Sequence, residues 1–221
     1  MLGCAWVEFD VRLTADGEAV VLHDGRIDRT TDGRGKVAKL PLAEIRSCDA
    51  GVWFGPDFTG ERVPVLAETI GVLAELGLGA NIEIKAERGR ERHAGGVLAA
   101  TVARLWPAHL PAPLISSFQP EVLIAARTAA PTIARGILFR GVPRRWWSVA
   151  EPLECSTINA DQARLHPALA TEIRAAGYPL LAYTVNDPAR ARRLFDWGVE
   201  AVFSDVPEAI LPVVRAPLVN D

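Results

Sequence analysis

Lysine is scarce in this chain. Of 221 residues only Lys36, Lys39 and Lys85 carry an ammonium, and arginine supplies the rest of the 24 cationic side chains. The bias runs along the whole chain and reads as compositional, but it makes a lysine inside a strand-like run conspicuous. Cysteine is equally sparse: Cys4, Cys48 and Cys155 are odd in number and far apart. That spacing excludes a disulfide framework and a zinc-ligand pairing, and leaves core or incidental thiols of a reducing compartment. No apolar run approaches the roughly 18 residues of a membrane span. Met1-Leu-Gly-Cys-Ala-Trp6 leads straight into a strand with no signal-peptide pattern, so the default location is cytoplasmic. A net charge of −3 without a basic run gives no reason to expect a nucleic-acid partner or an anionic membrane surface.

What is present is alternation. Strand-like runs fall at Ala5–Val11 (with a companion at Ala19–His23), Ala80–Lys85, Pro113–Phe118, Ala134–Phe139, Ser156–Asn159, Pro179–Val185 and Ala201–Ser204. Helical patterns fill the gaps, at Leu42–Cys48, Val65–Leu76, Arg92–Leu105, Glu121–Ala129, Pro167–Ala176, Pro188–Trp197 and Pro207–Val214. Helix starts are marked by proline, as in Asn186-Asp187-Pro188, and helix ends by Gly77, Gly177 and Gly198. Such βα alternation predicts a parallel sheet with right-handed crossovers. The absence of a Gly-x-Gly-x-x-Gly turn after the first strand argues against dinucleotide binding. Polar residues gather instead at strand C-termini, among them Asp10, Lys85, Asn186 and Asp205, as in a TIM (β/α)8-type barrel. About seven of the eight βα units are visible, and with no linker or low-complexity tract the chain reads as one domain, residues 1–221.

The chemistry concentrates in two strands. In Trp6-Val-Glu-Phe-Asp-Val11, residues two apart share a face, so Glu8 and Asp10 project together while Val7, Phe9 and Val11 cover the other side. Asn81-Ile-Glu-Ile-Lys85 repeats the pattern with Glu83 and Lys85. Three carboxylates on strands with apolar backs are costly to bury without a positive charge among them. A hard divalent cation suits oxygen ligands and can keep water positions open. His23, in Val20-Val-Leu-His-Asp24, is the histidine placed at a strand end. His93 and His109 read as solvated, and His166, before Pro167, reads as a helix-start residue. Trp53-Phe54 before Gly55-Pro56 marks a loop that could line a substrate, and Trp146-Trp147 beside Arg144-Arg145 reads more readily as packing over helices.

The runs Val7-Glu-Phe-Asp-Val-Arg-Leu-Thr-Ala-Asp-Gly-Glu-Ala-Val-Val-Leu-His-Asp24, Asp28-Arg-Thr-Thr-Asp-Gly33, Ile82-Glu-Ile-Lys85, Ser116-Ser-Phe118, Tyr183-Thr-Val-Asn186 and Gly198-Val-Glu-Ala-Val-Phe-Ser-Asp205 together resemble the glycerophosphodiester phosphodiesterase family. The resemblance spans essentially the whole chain. It implies a TIM barrel that hydrolyses a small-molecule glycerophosphodiester to an alcohol and sn-glycerol 3-phosphate with one divalent cation, Mg²⁺ or Ca²⁺. It implies Glu8, Asp10 and Glu83 as metal ligands, His23 as a catalytic histidine that protonates the leaving alkoxide, and Lys85 as a phosphate contact. Phe118 and Tyr183 would line the substrate. The family's opening His-Arg-Gly strand and first helix have no counterpart in these residues, which leaves either a start downstream of the true one or a barrel lacking its first βα unit. Exposed strand edges would then favour a homodimer. The residues alone leave two alternatives open: another metal-dependent barrel phosphodiesterase or lyase giving a cyclic phosphate, and a degenerate barrel that binds without turnover.

Overall fold

Apolar residues recur at every second position of the strand runs and on one face of the helical runs, and the computed structural model, which describes residues 2–215, builds βα elements from them. Among the described residues two compact units result, one of residues 6–134 and one of residues 2–5 with 135–215.

The first unit opens with β1 (Trp6–Leu13), which turns back through β2 (Ala19–Val21). The pair is antiparallel, with Val11 opposite Val21. The remaining strands are β3 (Gly79–Ile84) and β4 (Leu114–Ser117), parallel to β1, in the order β2-β1-β3-β4. Between β2 and β3 lie α1 (Leu42–Ser47) and α2 (Leu66–Leu76); α3 (Glu91–Leu105) and α4 (Pro120–Ala129) follow β3 and β4. The start of α2 is fixed by Glu68, whose carboxylate accepts the Val65 N–H, and its end by Gly77 at φ +68°, a left-handed cap that side chains resist. β3 is buried along its whole length, which is the reason its Ile82 and Ile84 can pack while Glu83 is left with little water.

The segment joining β2 to α2 has its own apolar cluster of Val20, Ile27, Val37, Ile45 and Val63. Above it the Asp49 carboxylate accepts the N–H groups of Gly51, Val52 and Gly60, which folds the intervening loop tightly. A Cβ on Gly51 would collide with the Phe58 carbonyl, so glycine is required there. The loop presents Trp53, Phe54 and Phe58 to solvent in edge-on contact with one another.

The second unit carries β5 (Ala134–Phe139), β6 (Thr157–Asp161), β7 (Leu180–Tyr183) and β8 (Ala201–Val202) in that order, all parallel. Its helices are α5 (Trp147–Ala150), α6 (Pro167–Ala175), α7 (Pro188–Asp196) and α8 (Pro207–Arg215). The one-turn α5 is absent from the sequence expectation. His166 caps α6 by accepting the Leu169 N–H at Nδ1, and Asp187 caps α7 through Ala189, in the roles their positions before proline suggest. Trp146 is buried, meets Tyr178 edge-on and donates its indole N–H to Glu172, while Trp147 stays partly exposed.

Among the described residues seven of the eight strands thus belong to parallel βα succession and β2 is a hairpin return, matching the units counted in the sequence. The expected 1–221 domain reaches over residue 1 and residues 216–221, which lie outside the described residues.

Candidate active site

Register brings the acidic residues together. Within the parallel β1–β3 pair, Glu8 stands opposite Asn81 and Asp10 opposite Glu83; on β4, Ser116 stands opposite Glu83. Because residues two apart share a face, Glu8, Asp10 and Arg12 of β1 form one polar row, and Asn81, Glu83 and Lys85 the next. One oxygen each from Glu8, Asp10 and Glu83 lies within 4.8 Å of the others. Glu8 is exposed, Asp10 half-buried and Glu83 buried, so the cluster runs from solvent into the sheet.

Lys85 answers that charge. Its Nζ lies 2.8 Å from Asp10 Oδ1 and 3.5 Å from Glu83 Oε1. The compensation is incomplete: burial pushes the Glu83 carboxyl up to about 7, Lys85 opposes the shift and the neighbouring Asp10 charge adds to it. Two buried polar atoms on this face lack a hydrogen-bond partner among the described residues, namely Asn81 Oδ1 and Ser116 Oγ. Buried polar atoms are rarely left so, and an oxygen-rich face with unsatisfied acceptors fits a hard divalent cation and its water.

His23 follows β2. The main chain beside it is fastened to β1, since the Leu22 N–H donates to the Asp10 carbonyl and the Arg12 guanidinium donates twice to the His23 carbonyl, at 3.0 and 2.9 Å. Its Nδ1 lies 2.7 Å from Asp24 Oδ1, which directs Nε2 away from that carboxylate. Arg29 grips Asp24 in turn, Nε to Oδ2 at 2.6 Å and Nη2 to Oδ1 at 3.2 Å. The hydrogen bond from Arg29 and then that from His23 hold the Asp24 carboxyl well below the ordinary range.

Phe118 follows β4 directly, two residues beyond Ser116 and half-buried. Tyr183 belongs to the second unit, at the end of β7, with its hydroxyl donating to the Phe139 carbonyl. Asn186 and Asp205 are likewise in the second unit, joined by a hydrogen bond from the Asn186 amide to the Asp205 carboxylate. Sequence reasoning left Arg12, Asp24, Arg29, Asn81 and Ser116 without a role. The period-two alternation that marks Glu8 and Glu83 also places Arg12 and Asn81 on the same face, but nothing in the sequence sets Arg29 against Asp24.

This α/β arrangement, with carboxylates and a lysine at the ends of parallel strands and a carboxylate-held histidine beside them, is that of a phosphodiesterase scaffold. The model of the glycerophosphoryl diester phosphodiesterase family matches residues 1–209, and the chain belongs to that family. It is 32% identical over 217 residues to a glycerophosphodiester phosphodiesterase of Caldanaerobacter subterraneus, covering 97% of this chain and 87% of that one. A glycerophosphodiester phosphodiesterase of Bacillus subtilis is also 32% identical, over 92% of this chain and 74% of the relative. Among solved structures, a phosphodiesterase of Oleispira antarctica in complex with the product sn-glycerol-3-phosphate superposes with a TM-score of 0.93 at 38% identity, covering 97% of this chain and 87% of that one. The barrel-type α/β fold expected from the sequence is thereby shown. No helix among the described residues is long and apolar enough to cross a membrane.

Proposed function

We propose that this chain hydrolyses glycerophosphodiesters to an alcohol and sn-glycerol 3-phosphate. The observation that carries the reading is the oxygen cluster of Glu8, Asp10 and Glu83 with Lys85 at its edge and the unsatisfied Asn81 Oδ1 and Ser116 Oγ beside it. The product held by the Oleispira antarctica relative gives the substrate class. Glu8, Asp10 and Glu83 would hold the cation, Mg²⁺ or Ca²⁺, which would supply positive charge to the nonbridging phosphoryl oxygens. Lys85 leaves its ion pair with Asp10 to contact the phosphate.

His23 carries the proton for the departing alkoxide at Nε2, with Nδ1 turned to Asp24 so that the ring is held in one orientation. Phe118 borders the substrate beyond Ser116. The test is release of glycerol 3-phosphate from glycerophosphocholine with Mg²⁺ or Ca²⁺ and with chelator, in the wild-type chain and in His23→Ala. Cation-dependent release that falls about a hundredfold or more in His23→Ala supports the reading. A cyclic phosphate product, or no release from folded protein with either cation, overturns it.

A further inference from the structure

We infer that Arg12 is a positioning residue that sets the His23 imidazole against the acidic cluster by clamping the His23 carbonyl. The inference rests on the proposed role of His23 as the group that protonates the leaving alkoxide. Arg12 shares the face of Glu8 and Asp10, and its guanidinium reaches out of β1 to donate through Nε and Nη2 to one carbonyl oxygen. Two donors from one rigid plane fix a direction as well as a distance, which a lysine cannot do. The residue so held stands two past the end of the short β2, next to Leu22, whose N–H donates to the Asp10 carbonyl of β1.

Glu87 lies near the clamp. A Cβ at Gly25 would lie 3.0 Å from Glu87 Oε1 and 3.7 Å from Arg12 Nη1, which places Arg12 and Glu87 around the same glycine. Arg12 and Glu87 also line one small cleft with Lys85, Arg90 and His93. Burial lowers the Arg12 pKa, and Glu87, Asp10, Asp24 and Glu83 all oppose that lowering, Glu87 most. So the guanidinium stands among carboxylates from the β1 row, the β2 end and the segment after β3. It ties the histidine's main chain to the strands that carry the metal-ligand candidates. The two donors at the His23 carbonyl give this half-buried cation a purpose.

The experiment compares Arg12→Ala and Arg12→Lys with His23→Ala on two diesters, glycerophosphocholine and the p-nitrophenyl ester of glycerol phosphate. p-Nitrophenolate departs without a proton, so loss of a proton donor harms the first substrate and spares the second. Arg12→Ala should lose about tenfold or more in kcat on glycerophosphocholine, with KM nearly unchanged, and little on the activated ester. Arg12→Lys should fall between. A readout independent of turnover is the His23 imidazole Cε1–H resonance, assigned through His23→Gln: Arg12→Ala should move it and leave the signals of His109 and His166 in place. Equal loss on both esters while His23→Ala is selective, or a His23 resonance unmoved in Arg12→Ala, would overturn the clamp and leave the His23 reading intact. Equal loss on both esters in His23→Ala itself would overturn that reading and the clamp with it.

Discussion

The Nδ1 of His23 lies 2.7 Å from the Asp24 carboxylate, and the two residues are adjacent in the chain, so the pair needs no tertiary contact to form. Its orientation does. Arg29 holds the far side of Asp24 and stops the carboxylate from rotating away.

Asp24→Asn therefore releases the imidazole. Turnover of glycerophosphocholine should drop about tenfold, a fraction of the effect of removing the histidine. Stability should change as well. The Asp24 carboxyl is depressed in the folded chain, so its contribution is complete above the ordinary aspartate value of about 3.9 and drains as pH falls below it. Melting curves should show Asp24→Asn less stable than wild type at pH 7, with the gap narrowing below about pH 4.

Glu83 behaves in the opposite sense. Its carboxyl is pushed up to about 7, chiefly by burial, so without cation the unfolded chain gives up this proton first as pH rises. Stability in EDTA should decline between about pH 4.5 and 7 and then level off, and Glu83→Gln should abolish the decline. Cation binding requires the ionised carboxylate. Melting temperatures measured with and without Mg²⁺ or Ca²⁺ should separate little at pH 5.5 and widely at pH 8.

Lys85 competes with the cation for Asp10, from 2.8 Å away. Lys85→Met should leave cation affinity, measured by calorimetry, equal or higher. Loss of the charged phosphate contact should raise KM for glycerophosphocholine about tenfold, the equivalent of roughly 1.4 kcal/mol. Weaker cation binding in Lys85→Met would contradict this.

In the second unit Trp146 combines burial, an indole hydrogen bond to Glu172 at 2.8 Å and an edge-on contact with Tyr178. Trp146→Ala should cost about 3–5 kcal/mol in chemical denaturation, and Trp146→Phe markedly less. Trp147→Ala, at a partly exposed site, should stay within about 0.5 kcal/mol of wild type.

The strands were legible because their alternation is local. Glu8 with Asp10, and Glu83 with Lys85, declare a polar face in a single five- or six-residue window. Proline after Asp187 or His166 told where helices begin for the same reason. The one-turn α5 offered no period to read, and β7 ends at Tyr183 rather than Val185, at its last register pair with β6, where Asp161 stands opposite Tyr183. Arg12 escaped notice because an arginine on a strand face looks like any solvated cation until the chain after β2 returns to it. The Asp24–Arg29 pairing depends on a loop path that residue types alone do not specify.

The distance between Asp10 and Glu83 has a further meaning, since they are register partners on hydrogen-bonded strands. Their backbones are held at the interstrand spacing, about 4.8 Å, a constant of every sheet. No side-chain substitution nearby can stretch it. Selection for a larger or smaller ion can act only on side-chain length, exchanging aspartate for glutamate along a ruler that the backbone has already marked.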